Sequence, residues 1–126
     1  MFKFIEGLPP DVLAIEAVGK ITNEDYRHTL IPRAEAMMGK GPIRMLYVIG
    51  GDFTGFELEA LWDDSAFGFK HWQDFRRIAV VTDHLWMIGS IDMFKPLFPA
   101  DVRLFKLAEL PAAKEWIAAA TRPISA

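Results

Sequence analysis

Asp83 and His84 are the residues whose types and position most readily suggest chemistry. They follow the stretch "RRIAVV", which predicts a buried strand, and they stand at the start of a predicted helix. A carboxylate and an imidazole there could act as a general acid–base pair. Adjacent helical residues do not face each other, however, and no spacing singles out a nucleophile or third orienting group. We therefore favour the alternative, in which Asp83 caps the helix and His84 is a solvated first-turn residue.

The glycine-rich stretch "GGDFTGFE", which contains Asp52 and Thr54, is the second candidate. It lacks the Gly-Lys-Ser/Thr ending of a nucleotide P-loop and the G-x-G-x-x-G pattern of a dinucleotide-binding fold. Thr54 and Glu57 have the spacing of a capping box, which favours a flexible turn with Thr54 as a helix N-cap. The glycines still permit a ligand or partner to approach the backbone closely.

The sequence predicts neither a metal site nor a cofactor. His28, His71 and His84 are far apart, and no H-x-H, H-E-x-x-H or acidic calcium loop occurs. Asp63 and Asp64 are interpreted as solvated helix residues. The chain has no cysteine, which excludes disulfides, thiol catalysis and thiolate metal ligands.

Length and composition indicate one globular domain spanning residues 1–126, with 52% hydrophobic and 25% charged residues. The net charge of −3 and the scattered basic residues argue against nucleic-acid binding. No stretch approaches the roughly 20 apolar residues that span a bilayer. The N-terminus "MFKFIEGLPP" lacks the apolar run of a signal peptide. We expect no integral membrane segment and a cytoplasmic location.

Hydrophobic spacing predicts the element order β-β-α-β-α-β-α-β-α. The strands are predicted at "FKFIEG", Val12–Ile21, Ile43–Gly50, "RIAVV" and Asp101–Leu107. The helical regions are predicted at residues 22–41 (loosened by Pro32), 51–75 (as two shorter helices), 83–98 and 111–120. Thr22 and Asp25 resemble a capping box at the start of the first helical region. Alternating strands and helices imply a mainly parallel sheet with helices on its faces, and the short first connection makes the first strand antiparallel.

Ligands of open parallel sheets bind beyond the carboxyl ends of the strands. Here these ends are "TNEDY", "GGDFTGF", "TDHLW" and "AELPA", and they are predicted to lie on one rim. The predicted ligand or partner residues on this rim are Asp52, Thr54, Asp83, His84 and Trp86.

The chain is rich in aromatic residues for its size. Trp62, Phe67, Phe69, Trp72 and Phe75 are joined by Trp86, Met87 and Phe94. A hydrophobic core is the first interpretation. A small sheet cannot easily bury four tryptophans, so the alternative is an exposed patch that forms a dimer contact or a site for an apolar ligand.

Three segments carry a resemblance to a known family. They are "LEALWDD", "FGFKHWQDFRRIAVVTDHLW" and "VRLFKLAELPAAKEWI", and with the element order they resemble the SpoIIAA-like family, which is related to STAS domains. The resemblance covers nearly the whole chain. It implies a five-stranded sheet flanked by helices in a β-α superhelix.

The resemblance also bears on function, because it implies a non-catalytic interaction or regulatory module acting as a homodimer or with a protein partner. STAS antagonists of anti-sigma factors carry a phosphorylatable serine in a D-S-S-G-like motif. This sequence has "GGDFTGFE" there, which makes Thr54 the nearest candidate phosphoacceptor. The similar superhelix of CRAL-TRIO lipid-binding domains gives the alternative, a carrier or sensor of an apolar or lipid-like small molecule.

Overall fold

The fold was established from a computed structural model, which describes residues 1–57, 74–94, 96 and 100–119. The strands are β1 (Phe2–Phe4), β2 (Val12–Ile21), β3 (Ile43–Phe56), β4 (Phe75–Thr82) and β5 (Asp101–Phe105). The helices are α1 (Ile31–Met38), α2 (Leu85–Phe94) and α3 (Leu110–Ala118). A π-helical segment, Asp25–Leu30, precedes α1, and a 3₁₀ turn, Leu107–Glu109, precedes α3.

The five strands form one sheet in the order β1-β2-β3-β4-β5. β1 pairs antiparallel with β2, and each later neighbouring pair is parallel. The predicted fold class is thereby confirmed. Because consecutive parallel strands are neighbours, right-handed crossovers place their helices on the same face of the sheet. The last helix follows the edge strand and is free to cover the opposite face.

The packing reflects this two-sided arrangement. On one face the core side chains of the sheet pack with Tyr26, Leu30 and Ala34 of the first helical region and with Met87 of α2. On the other face a smaller cluster from β2, β3 and β4 packs against Ala113 and Ile117 of α3. The central strands are nearly all apolar because both of their faces are covered.

The first helical region begins with the predicted capping box. The Thr22 amide donates to the Asp25 carboxylate at 2.8 Å, and the Asp25 amide donates to the Thr22 hydroxyl at 3.2 Å. Aspartate thus replaces the usual Glu or Gln. The predicted loosening at Pro32 corresponds to a change from π to α geometry at Ile31. Pro32 has no N–H to donate to the preceding turn.

The stretch "GGDFTGFE" was predicted wrongly. β3 does not end at Gly50 but continues to Phe56, so Thr54 lies in a strand and neither caps a helix nor forms a capping box with Glu57. The register between β2 and β3 shifts between Ala17 and Gly19 and again before Lys20. Two features allow this irregular extension: the glycines, with Gly55 at a φ of +144°, and the burial of Phe53.

The helices predicted within 51–75 fall mainly on residues 58–73, which lie outside the described residues. The predictions for Trp62, Phe67, Phe69 and Trp72, and those for Asp63 and Asp64, also fall outside the described residues. Phe75 was predicted to continue a helix but begins β4. Its strand position follows from the pairing of Ile43 with Phe75 at the start of the β3–β4 ladder.

Arg44 closes the amino-terminal end of the sheet. Its buried guanidinium donates to both carboxylate oxygens of Asp11, with a distance of 2.9 Å from Nε to Oδ2. The same group donates to the carbonyls of Ile117 and Ala119 at 2.8 and 2.7 Å. One side chain therefore joins the start of β2, the start of β3 and the carboxyl end of α3, where free carbonyls need donors.

Candidate functional site

The carboxyl ends of the four parallel strands meet on one rim, as predicted, and consecutive strand ends touch. The Asn23 amide after β2 donates to the Glu57 carboxylate after β3 at 3.2 Å. The Phe53 ring of β3 contacts the His84 ring after β4, with centroids 5.5 Å apart. The Asp83 carboxylate accepts a hydrogen bond from the Leu107 amide after β5 at 3.1 Å. The rim is therefore a connected surface.

Asp83 and His84 are not arranged as an acid–base pair. The Asp83 carboxylate binds the first amide of the 3₁₀ turn before α3, so it caps a different helix from the one predicted. At the start of α2, the Thr82 hydroxyl takes the place predicted for Asp83. It accepts a hydrogen bond from the His84 amide at 3.1 Å. His84 is half-buried and packs edge-on against Phe53, which corrects its prediction as a solvated residue. The two side chains thus hold the rim together.

Asp52 and Thr54 lie on the extended part of β3, and both are exposed. Between them Phe53 points inwards and contacts Phe56, with ring centroids 5.0 Å apart. This alternation is the ordinary geometry of a strand, whose successive side chains point to opposite faces. The exposed hydroxyl of Thr54 is accessible to solvent. Its assignment as a phosphoacceptor stays a prediction, as do the roles of both residues in binding.

Helix α2 presents large apolar side chains to solvent. Leu85 is 83% exposed, Trp86 58% and Met93 73%, whereas Met87 on the inner side of the helix is only 7% exposed. A helix whose sequence is apolar all around is normally covered on all sides. We call Leu85, Trp86 and Met93 the α2 patch. Exposed apolar patches are a common feature of binding surfaces.

A groove separates α2 from the edge strand β5. It has a volume of about 460 Å³ and is lined by Ile88 and Asp92 of α2, by residues 102–106 and by Glu109. Its floor is apolar where Val102 and Leu104 face α2. Its rim carries Asp92, Arg103, Lys106 and Glu109, so both signs of charge border it. Apolar and charged side chains therefore both line the groove.

Of the predicted site residues, His84 and Asp83 lie in the contacts that join the rim, Trp86 lies in the α2 patch, and Asp52 and Thr54 lie on exposed strand. Sequence reasoning missed Leu85, Met93 and the groove. A signal was present for the patch, because "LWMIGSIDMF" has one charged residue in ten. Among the described residues, no group of three metal-binding side chains was found, and no helix is long and apolar enough to cross a membrane.

Comparison with known proteins agrees with this architecture. The family model described as SpoIIAA-like matches residues 12–118. The chain is similar to the crystal structure of an uncharacterized protein from Shewanella loihica PV-4, of the DUF3478 family, with a SpoIIAA-like fold. The two share 27% sequence identity over 93% of this chain and 92% of that chain, with a TM-score of 0.73. A comparison with curated proteins finds no match. The family model covers most of the chain, and the chain therefore belongs to the SpoIIAA-like family.

Proposed function

We propose that this protein is a non-catalytic interaction module that works as a homodimer, with the α2 patch as the centre of its binding surface. The observation that carries the proposal is the exposure of Leu85, Trp86 and Met93 on one short helix. Burying these side chains against a partner would remove a large apolar area from water, which favours association. Trp and Met are also enriched at the centres of protein interfaces.

The geometry of Asp83 and His84 supports binding over acid–base catalysis. General acid–base chemistry needs a carboxylate or imidazole free to exchange a proton with a substrate. The Asp83 carboxylate is instead bound to a backbone amide, and the His84 ring packs on Phe53. Both side chains contribute to the shape and rigidity of the rim, which is what a binding surface requires.

A second candidate function, carriage of an apolar small molecule, is favoured by one observation. Phe53, Phe56 and His84 form a connected group of rings at the rim, next to the helix that bears the α2 patch. Native mass spectrometry of the purified protein distinguishes the two functions. A bound small molecule of constant mass supports carriage, and the mass of the bare dimer supports the interaction module.

Sedimentation equilibrium over a wide concentration range tests the proposal. We expect the wild-type protein to form dimers. The double variant Leu85→Gln with Trp86→Gln should associate at least tenfold more weakly, because interface anchors commonly contribute over 1 kcal/mol each. Ala112→Gln, which introduces the same side chain at an exposed position of α3, is the control and should not change the association. A wild-type protein that stays monomeric throughout would contradict the proposal.

A further inference from the structure

Among the described strands, β5 is an edge of the sheet. It pairs with β4 along one side, from Asp101 to Phe105, and it is the last strand in the sheet order. The backbone N–H and C=O groups of alternate residues on such a strand point away from the sheet, where a further strand can bind them. The groove between α2 and β5 leaves room beside this edge.

The other edge is less suited to pairing. β1 has only three residues, so an added strand could form few backbone hydrogen bonds there. The central residue of β1 is Lys3, which would oppose its own copy in a symmetric antiparallel pair, and like charges directly opposite are unfavourable. Of the two edges that the described strands leave, β5 is therefore the one with the length to pair.

The charges on β5 select one self-complementary register. Asp101 and Arg103 are both exposed and stand two positions apart, so they point to the same face. In an antiparallel pair of two β5 strands with Val102 opposite Val102, each Asp101 lies opposite Arg103 of the partner subunit. A register centred on Arg103 would instead oppose two arginines.

We propose that two copies of this chain pair through β5 in the Val102-centred register, which joins their sheets into one. The Arg103 guanidinium lies over the Trp116 ring at 5.0 Å, on the α3 face of the sheet. Asp101, next to Arg77 in the β4–β5 register, would then have a cation on each side. This inference rests on the proposed homodimer and specifies its interface.

The same arrangement would bring the β5 side of α2 towards the partner. A crossover helix packs over the two strands that it connects, so each α2 would lie just inside its own β5. The two α2 helices would then lie on the same face of the joined sheet, one on each side of the new strand pair. Ile88 and Asp92 are the α2 residues that face β5 across the groove. Leu85 and Gly89 lie next to them on the helix surface, are exposed, and would face the partner. Gly89 has no Cβ, so a partner could approach the helix closely there.

A cysteine cross-link tests the register directly, because the chain contains no other cysteine. Val102→Cys should give a disulfide-linked dimer on mild oxidation, since directly opposite residues are about 5 Å apart at Cα. Leu104→Cys is the matched control on the same face. Its two copies would be about 14 Å apart in this register, beyond disulfide reach, so it should stay monomeric on denaturing gels.

Charge reversal provides the second test. Asp101→Arg and Arg103→Asp alone should each weaken dimerisation about tenfold, because each change places like charges opposite in two symmetric pairs. The two changes in one chain should restore the dimer, as should an equimolar mixture of the two single variants. Lys3→Glu on β1 is the control and should leave dimerisation unchanged.

The outcomes separate this inference from the proposed function. A wild-type monomer at all concentrations overturns both. A wild-type dimer that Val102→Cys does not link, or that the charge reversals leave intact, overturns the β5 interface and leaves the homodimer standing. Selective linking of Val102→Cys together with rescue by the double reversal supports the inference. Circular dichroism of each variant verifies that the fold is retained.

Discussion

The two ends of the sheet differ in how completely their groups are satisfied. At the amino-terminal end, Arg44 is buried, and its hydrogen bonds to Asp11, Ile117 and Ala119 close that end. At the carboxyl end the strand tips are joined by a few contacts, and α2 exposes large apolar side chains beside them. Among the described residues, the first end is held together by the hydrogen bonds of Arg44, whereas the second presents exposed apolar side chains.

This difference separates residues that maintain the fold from residues that are available for binding. A buried guanidinium stabilises a fold only when its donors are satisfied, which makes the closed end sensitive to single changes. Exposed Leu and Trp side chains contribute little to the folded monomer, so the open end should tolerate changes that abolish association. Variants at each end test whether this division holds.

The largest effect is expected at Arg44. Arg44→Ala should lower the free energy of unfolding by about 3 kcal/mol, because it leaves the carbonyls of Ile117 and Ala119 without their donor and removes the partner of Asp11. Urea unfolding measures the change. Lys40→Ala, at an exposed position after α1, is the control and should stay within about 0.5 kcal/mol of wild type. Equal stability of the two variants would remove the distinction between the ends.

The second effect compares two methionines on opposite sides of α2. Met87→Ala should cost about 2 kcal/mol or more, because it leaves a cavity in the core, whereas Met93→Ala at an exposed position should cost less than about 0.5 kcal/mol. Thermal or urea unfolding of dilute, monomeric protein provides the comparison. If Met93→Ala were as destabilising as Met87→Ala, the outer side of α2 would belong to the core and not to a binding surface.

The smallest effect concerns pH. The hydrogen bond from Arg44 holds the pKa of the Asp11 carboxyl below its ordinary value, although partial burial acts in the opposite direction. The Arg44–Asp11 pair therefore stabilises the fold fully above about pH 4, and this stabilisation is lost as the pH falls through the lowered pKa of Asp11.

Asp11→Asn should be less stable than wild type at neutral pH, and the difference should shrink in acid. Because the Asp11 side chain is 38% exposed, we expect the difference in the free energy of unfolding between Asp11→Asn and wild type to stay below about 1 kcal/mol. A difference that does not change with pH would contradict the role of this pair.

Much of the fold was predictable because apolar periodicity and turn residues are local signals. The limits of β2 were predicted at Val12 and Ile21 and confirmed, and the capping box at Thr22 was recognised from its spacing alone. β3 was predicted too short because glycine usually ends a strand. Here the long-range pairing of Phe53 with Gly19 and of Phe56 with Ile21 continues the strand through the glycines, and no local pattern encodes such a pairing.

The location of the candidate site was predictable from the sequence, but the contacts of its residues were not. The rule for parallel sheets located the rim, since it depends only on strand direction. The partner of Asp83 could not be predicted, because it is a backbone amide 24 positions away that comes near only when β5 pairs with β4. The same pairing places β5 next to α2 and creates the groove between them. Spacing within a sequence does not report contacts of this kind.

Amide hydrogen exchange at low and at high protein concentration tests the central proposal, that α2 and β5 bind a second copy of the chain while β1 and β2 do not. Backbone amides buried in an interface exchange more slowly than exposed ones. We predict slower exchange at high concentration in peptides from Leu85–Phe94 and Asp101–Phe105, with no change in Phe2–Phe4 and Val12–Ile21. Identical exchange at both concentrations, or slowing confined to β1 and β2, would contradict it.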